Sequence, residues 1–170
     1  MEGDRAGVSV RPARAADVSL LLEMFAELAD YEHLSDQLMA NEQLLSEALF
    51  GERPAAEALI AEHDGEVAGY ALFFPTFSTF LAVQGIWLED LFVRPAHRRT
   101  GVGRALLARV ASTLRERGGR RLEWSALTWN ELALGFYRGL GARTADDWIT
   151  LRLTGEHLER LAAEAPAESS

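Results

Sequence analysis

A strand that is apolar on both faces and runs into a glycine-containing loop and then a helix constrains the fold of this chain more than any other segment. Residues Ile86–Val93 carry apolar side chains at odd and even positions, which is typical of a strand covered on both sides, and Arg94-Pro95 ends the run. From Gly101 to about Arg117 the apolar residues recur at helical spacing. A strand buried on both faces needs helices over its sheet, so the segment predicts a mixed α/β fold.

Further strands and helices are predicted around this segment. Asp64-Gly65 separates two apolar runs and is a typical hairpin turn, while Asn41 and Asn130 each precede a helical repeat and are expected to cap it. The expected order is strand, two helices, three strands, helix, strand, helix, strand and a short helix, with a central sheet of six to seven strands. The additional strands are predicted at Val8–Arg11, Ala58–His63, Val67–Phe77, Arg121–Ala126 and Trp148–Leu153, and the additional longer helices at about 17–31, 41–51 and 130–141.

Length and composition predict one globular domain. The chain has 170 residues, 48% hydrophobic and 25% charged, as expected for a single domain spanning 8–163 with flexible termini at 1–7 and 164–170. Its start lacks the basic and apolar blocks of a secretory signal, and no apolar run is long enough to span a bilayer. We therefore expect a cytoplasmic protein without membrane association.

Charge and residue usage argue against several classes of function. The net charge of −9 at pH 7 argues against a nucleic-acid partner, since phosphate backbones are bound by Lys and Arg, and it suits a cationic substrate. Cysteine is absent, which excludes disulfides, thiolate metal sites and a cysteine-bound acyl intermediate. No histidine is spaced from another ligand as metal sites require, so we predict surface or loop histidines and no metal. The histidines are His33, His63, His97 and His157.

The loop between the buried strand and its helix is predicted to bind an anion. A helix N-terminus presents unpaired N–H groups, and Gly101 and Gly103 allow a phosphate to approach the backbone closely. A Walker loop needs Lys and Ser or Thr after its glycines, and a dinucleotide fingerprint needs glycine where Leu106 stands, so neither fits. The simpler alternative is a turn with solvated arginines. The nearby arginines are Arg98, Arg99 and Arg104, and the pattern R-x-x-G-x-G resembles the pyrophosphate loop of the GNAT acetyltransferases.

Two adjacent carboxylates interrupt the buried strand. Glu89 and Asp90 are expected to point to opposite faces of the sheet, each among apolar neighbours. Burial raises the pKa of a carboxyl group and makes it a general base near neutral pH, which an amine acetyltransferase needs because only the free amine attacks. The alternative for either residue is a hydrated position at the rim of the sheet, or a pair with an arginine.

Tyr137 lies on the apolar face of the last long predicted helix, where its hydroxyl would need a buried partner. Trp129-Asn130 and Phe136-Tyr137 resemble the GNAT motif in which a tyrosine hydroxyl donates a hydrogen bond to the CoA sulfur and protonates the departing thiolate. An ordinary core tyrosine is the alternative.

Most of the chain, from Val10 to Trp148, resembles the spermidine/spermine acetyltransferase family. The resemblance implies that Glu89 is the base, acting through water, and that Tyr137 is the acid. The matching motifs are Glu27-Leu28-Ala29-x-Tyr31-Glu32, Leu88-Glu89-Asp90-x-Phe92-Val93, Arg98-x-x-Gly101-x-Gly103, Trp129-Asn130 and Phe136-Tyr137.

The same resemblance implies two further groups of site residues and a homodimer. Contacts to acetyl-CoA would come from Leu91, Phe92, Val93, Arg98, Arg99, Gly101, Val102, Gly103, Arg104 and Asn130. The channel for the cationic substrate would be lined by Tyr31, Glu32, Glu89, Asp90 and Trp148. Read without the resemblance, Tyr31-Glu32 fits a solvated helix end. Members of the family exchange contacts through their C-terminal strands.

One segment departs from the polyamine-specific branch of that family. That branch carries an acid and a tryptophan between its third and fourth strands, and Phe77-Ser78-Thr79-Phe80 has neither. With Leu34-Ser35-Asp36-Gln37, this tetrad is more similar to the thialysine-acetylating branch. Loss of an acid opposite a distal ammonium should weaken long polycations more than short amines.

The leading hypothesis is direct transfer of acetyl from acetyl-CoA to a primary amine of a small cationic substrate in a ternary complex. Diamines, polyamines and lysine analogues are the candidate substrates. Acetylation of a peptide, protein or antibiotic amine by the same residues is an alternative. A non-catalytic acyl-CoA-binding module is an alternative of another class, although such a module needs neither Glu89 nor Tyr137.

Overall fold

The computed structural model describes residues 7–166, so most of the flexible termini predicted at 1–7 and 164–170 lies outside the described residues. The chain forms two compact units, with the boundary after Ser125. The first unit contains the sheet, and the second contains the last two helices. The single domain expected across 8–163 stays a prediction.

One mixed sheet forms the centre of the first unit and confirms the predicted α/β fold. Its five strands follow the chain order across the sheet, fewer than the six to seven expected. Neighbours pair antiparallel except β4 and β5, which are parallel and joined by a helical crossover. The strands are β1 (Val8–Pro12), β2 (Glu57–His63), β3 (Glu66–Ser78), β4 (Val83–Val93) and β5 (Arg121–Trp124).

Helices cover this sheet on both faces. The helices of the unit are α1 (Val18–Tyr31), α2 (Glu42–Phe50) and α3 (Val102–Glu116). The apolar stripes of α1 and α2 pack against Ile60 of β2 and Tyr70 of β3, which are both fully buried. Helix α3 packs against β1 to β4 and buries Leu106 and Val110. Leu59, which neighbours Ile60 and points to the opposite face, is also buried, as the pattern of a doubly covered sheet requires.

Strand β4 contains a bulge in its second half. Asp90 pairs with Leu72 and Leu88 pairs with Phe73, so Glu89 lies opposite no residue of β3. Strand β5 pairs with β4 only as far as Leu88. Beyond that point β4 continues without a strand neighbour on its β5 side, and its backbone edge there is open within the described sheet.

The second unit contains α4 (Glu131–Gly139) and α5 (Gly155–Ala163). Asn130 caps α4, because its side-chain oxygen accepts a hydrogen bond from the N–H of Ala133 at 3.2 Å. Asn41 caps α2 in the same way through the N–H of Leu44. Both predicted caps are confirmed. In the range 7–166, no helix has both the length and the apolar character needed to cross a membrane.

The strand predicted at Trp148–Leu153 is wrong. The segment has no regular structure, and Trp148, Ile149 and Leu151 are all strongly exposed. Its alternation fits a strand, but a strand also needs a neighbour to pair with its backbone groups. The described residues of the second unit contain no other strand, which leaves the segment unpaired there.

Candidate active site

The bulge in β4 determines where the two adjacent carboxylates lie. Glu89 is exposed, and its Oε2 accepts a hydrogen bond from Nε1 of Trp87 at 2.8 Å. The expectation that Glu89 is buried among apolar neighbours is therefore wrong. A bulge re-aims the side chain of the extra residue, and Glu89 also lies just past the last residue that pairs with β5.

Asp90 is partly buried instead. Its Oδ2 accepts a hydrogen bond from the hydroxyl of Tyr70 at 3.0 Å, and the Tyr70 ring is fully buried beside Phe25 and Phe92. Burial raises the pKa of Asp90 to about 6, the Tyr70 hydrogen bond opposes the rise, and the charges of Glu89 and Glu32 add to it. The carboxyl group with a pKa near neutrality in β4 is thus that of Asp90.

A pocket of about 200 Å³ opens beside this pair in the first unit. Glu32 contributes a second carboxyl group, and burial raises its pKa. The volume corresponds to about six or seven waters at roughly 30 Å³ each, which suits a small molecule. The pocket is lined by Phe25, Leu28, Ala29, Glu32, Leu34, Gln37, Leu38, Tyr70 and Asp90. The structure therefore brings Glu32 and Asp90 together in an apolar surround.

Tyr31 does not line this pocket. The guanidinium of Arg98 lies over its ring, 4.7 Å from the centroid, and Nε of Arg98 donates to the carbonyl of Val93 at 3.2 Å. Arg98 thereby connects the end of α1 to the end of β4. Arg94 makes a second connection, because it pairs with Glu23 and Glu27 of α1. The start of the loop that follows β4 is held by these two arginines.

The N-terminus of α3 has the features expected of an anion site. Gly101 is the N-cap residue, has φ of 94°, and as a glycine has no side chain with which to cap the helix. The first bond of the helix runs from the N–H of Ala105 to the carbonyl of Gly101 at 2.9 Å. The N–H groups of residues 102–104 therefore lack acceptors from a preceding turn. Val102 is buried, so its side chain is not available to a ligand.

Two guanidinium groups near this helix N-terminus are available to bind an anion. Within residues 7–166, neither Arg99 nor Arg104 pairs with a carboxylate. Leu91, Phe92 and Val93 lie on the open part of the β4 edge that leads into the loop. The free backbone N–H and C=O groups of an open strand edge can bind the amide-rich arm of CoA. The N–H groups at a helix N-terminus can bind its pyrophosphate.

The remaining predicted site residues belong to the second unit. Tyr137 lies in α4 with its ring 5.3 Å from that of Phe136, Asn130 caps the same helix, and Trp148 lies in the irregular segment with 79% of its surface exposed. Their assigned roles stay predictions.

Sequence reasoning missed Tyr70 and one pair of histidines. A tyrosine inside an apolar strand needs a partner for its hydroxyl, and a carboxylate on the next strand was the signal that could have identified it. His63 and His97 are not isolated, because their Nδ1 atoms lie 3.2 Å apart. They are 34 residues apart in sequence, so their spacing gave no indication of the contact. In the described ranges no group of three or more metal-binding side chains occurs.

Comparison with known proteins identifies the family. Residues 22–142 match the model of the acetyltransferase (GNAT) family, which is well over half of the chain. The chain belongs to the GNAT family. It is an N-acetyltransferase, and the expected resemblance to the thialysine-acetylating branch is confirmed by curated relatives with that name.

Two relatives and one solved structure define the extent of the similarity to this GNAT chain. The thialysine N-epsilon-acetyltransferase of Sus scrofa is 35% identical, over 94% of this chain and 99% of that protein. The L-ornithine N5-acetyltransferase NATA1 of Arabidopsis thaliana is 30% identical, over 94% of this chain and 90% of that protein. An integron cassette protein from the mobile metagenome of V. cholerae superposes with a TM-score of 0.77 at 27% identity, covering 92% of this chain and 98% of its own.

Proposed function

We propose that this GNAT enzyme transfers acetyl from acetyl-CoA to a primary amine of a small cationic molecule of the diamine or lysine-analogue type. The pocket beside Asp90 carries the proposal. Burial disfavours ionisation of Glu32 and of Asp90, and the charge of Glu32 further disfavours ionisation of Asp90. A bound ammonium group offsets both effects, because an opposite charge close to a carboxylate favours its ionised form. A neutral ligand would offset neither.

The reaction proceeds by direct attack in a ternary complex. Glu89, exposed at the bulge, removes a proton from the substrate ammonium through water. The amine nitrogen then forms a bond to the thioester carbonyl carbon, the C–S bond breaks, and the sulfur takes up a proton. Backbone N–H groups of Leu91 and Val93 position the thioester, and Tyr137 serves the thiolate. The chain has no cysteine, so no acyl-cysteine intermediate forms.

The residues around α3 fit the co-substrate that GNAT enzymes use. Gly101 at φ 94°, the N–H groups of residues 102–104 and the side chains of Arg99 and Arg104 hold the pyrophosphate of acetyl-CoA. Gly103 allows close approach in the first turn of the helix. Arg98 has a positioning role, because its guanidinium is already engaged with Tyr31 and Val93.

The pocket size favours short amines over antibiotics. A volume of about 200 Å³ is below the roughly 300–1,000 Å³ typical of sites for drug-sized ligands. The names of the relatives also point to diamino acids, since one group acts on thialysine and another on ornithine. Both compounds have a short side chain that ends in an amine.

The test is thiol release from acetyl-CoA against thialysine, ornithine, lysine, spermidine, an aminoglycoside and a lysine-containing peptide. We expect the highest kcat/KM for the short diamino acids. Glu89→Gln should lower turnover near neutral pH and recover it at alkaline pH, where free amine is abundant. Tight acetyl-CoA binding without thiol release against any amine would support the acyl-CoA-binding module instead.

The enzyme is further proposed to act as a homodimer in the cytoplasm, without a nucleic-acid partner or membrane association. Each unit exposes large apolar side chains that a second copy could cover, such as Phe80 at 95% and Leu151 at 84%. The net charge of −9 supports the absence of nucleic acid among its partners.

A further inference from the structure

His63 and His97 form a close pair away from the amine pocket. His63 is the last residue of β2, and His97 ends the short turn Pro95–His97 that follows β4. Their rings meet edge to face with centroids 5.4 Å apart, and their Nδ1 atoms are 3.2 Å apart. The two side chains are 20% and 13% exposed, so the pair is largely buried yet reachable from solvent.

A carboxylate lies near the outer nitrogen of each ring. Oδ2 of Asp64 is 3.6 Å from Nε2 of His63, and Oε2 of Glu66 is 3.7 Å from Nε2 of His97. Both distances exceed a direct hydrogen bond, so neither carboxylate fixes the tautomer of its ring. Neutral imidazole carries only one N–H. Either one Nδ1–H donates to the other Nδ1, or both rings carry their hydrogen on Nε2 and the two Nδ1 lone pairs face each other.

In the second arrangement the two lone pairs, 3.2 Å apart, repel unless a positive centre lies between them. The separation also matches two ligands of one ion: a tetrahedral ion with metal–nitrogen bonds of about 2.0–2.1 Å separates its ligand atoms by about 3.3 Å. A histidine that binds a metal through one nitrogen usually directs its other N–H toward a carboxylate or carbonyl. Asp64 and Glu66 occupy those outer positions.

We propose that His63 and His97 bind one divalent transition-metal ion, such as Zn²⁺, through their Nδ1 atoms, with water completing the coordination. This inference is independent of the proposed function and runs against the sequence-based expectation of no metal. Two protein ligands make the site weaker than a structural zinc site with four. Its effect would be to join the end of β2 to the turn that precedes the Arg98–Arg104 loop.

Metal titration of untagged, chelator-treated protein tests the site. We expect one equivalent of Zn²⁺ to bind by calorimetry, Co²⁺ to give the visible absorption of a tetrahedral nitrogen–oxygen site, and Zn²⁺ to raise Tm. His63→Gln and His97→Gln should each abolish the one-equivalent binding and the rise in Tm. Glu66→Gln should weaken binding by roughly 10- to 100-fold, as removal of an outer partner of a ligand does.

His157→Gln is the matched control, because His157 lies on α5 beside Arg160 and outside the pair. Its binding should equal that of the unaltered protein. Tm without metal shows whether each variant is folded. Stoichiometric binding that survives His63→Gln and His97→Gln would overturn the assignment. A folded unaltered protein that binds no Zn²⁺ would overturn it too.

Discussion

Tyr70 and Asp90 are a buried donor and a partly buried acceptor on neighbouring strands. The hydroxyl of Tyr70 donates to a carboxylate whose pKa burial raises to about 6, and this bond lowers the pKa from the value that burial alone would give. Tyr70 therefore keeps Asp90 ionised over a wider pH range. In the proposed reaction, an ionised Asp90 is the form that attracts an ammonium group.

Tyr70→Phe is expected to move the acidic limb of the kcat/KM profile for the amine. In the unaltered enzyme this limb should fall as pH drops through about 6, the pKa of Asp90. Removal of the hydrogen bond raises that pKa, so the limb should move upward by roughly one pH unit, equivalent to a hydrogen bond of about 1.4 kcal/mol. Steady-state kinetics from pH 5 to about pH 9 measures the shift.

Tyr70→Phe also separates the effect of the hydroxyl on Asp90 from the structural role of the ring. Phenylalanine keeps the ring packing against Phe25 and Phe92, so Tm should change little and KM for acetyl-CoA should stay constant. A limb that stays in place in a folded Tyr70→Phe enzyme would show that Asp90 does not control amine capture.

The sequence predicts which residues belong to this site better than it predicts their burial and contacts. Glu89 and Asp90 could be selected because carboxylates are costly in an apolar strand. Which of them is buried depends on the bulge, and the bulge depends on pairing between β3 and β4 that no local pattern encodes. His63 and His97 were missed for the same reason, since β2 and the turn after β4 meet only in the folded chain.

At the scale of elements, α3 begins and ends at glycines with positive φ. Gly101 has φ of 94° at the start of the helix, and Gly118 has φ of 75° just after its end. Side-chain-bearing residues in this region are strained by roughly 1–2 kcal/mol, so either position resists substitution. Only the first lies at the proposed pyrophosphate site.

Gly101→Ala and Gly118→Ala therefore form a matched pair. Each should lower Tm through backbone strain, and a Cβ at Gly118 meets no atom within 4 Å, so strain is its main effect. Gly101→Ala should in addition weaken acetyl-CoA binding by about tenfold or more, because the N–H groups of the first turn shift from the anion. Calorimetry with CoA compares them, and equal affinities in the two variants would refute the loop assignment.

Elements were predicted well wherever the pattern and the pairing partner lie close together in the chain. The β2–β3 hairpin follows from Asp64-Gly65, both with positive φ, and the caps at Asn41 and Asn130 follow from local hydrogen bonding. The prediction of a strand at Trp148–Leu153 was wrong. Alternation of apolar and polar residues indicates which side chains share one face of a strand, but not which other strand pairs with it. Its apolar residues still require a partner to cover them.

At the scale of the whole molecule, two of the segments with exposed apolar side chains include the most exposed ones. Phe77 at the end of β3 is 66% exposed, and Phe80 and Leu81 in the turn to β4 are 95% and 47% exposed. Ile149 and Leu151 are more than four-fifths exposed in the irregular segment of the second unit. Apolar groups in such numbers usually mark an interaction surface, and a second copy of the chain is the partner that we propose.

Leu151→Asp should convert this dimer to monomer. A charge placed in an apolar interface loses its water without gaining a partner, which typically costs several kcal/mol for the pair of copies. Sedimentation velocity at micromolar concentration should therefore show a species of twice 18.8 kDa for the unaltered chain and of 18.8 kDa for the variant. Leu44→Asp is the control, because Leu44 on α2 is also an exposed leucine, at 59%, but lies outside the two segments proposed to form the interface, so the same charge there should leave the dimer intact. A monomeric unaltered chain, or a dimer that persists in Leu151→Asp, would mean that no second copy covers this segment.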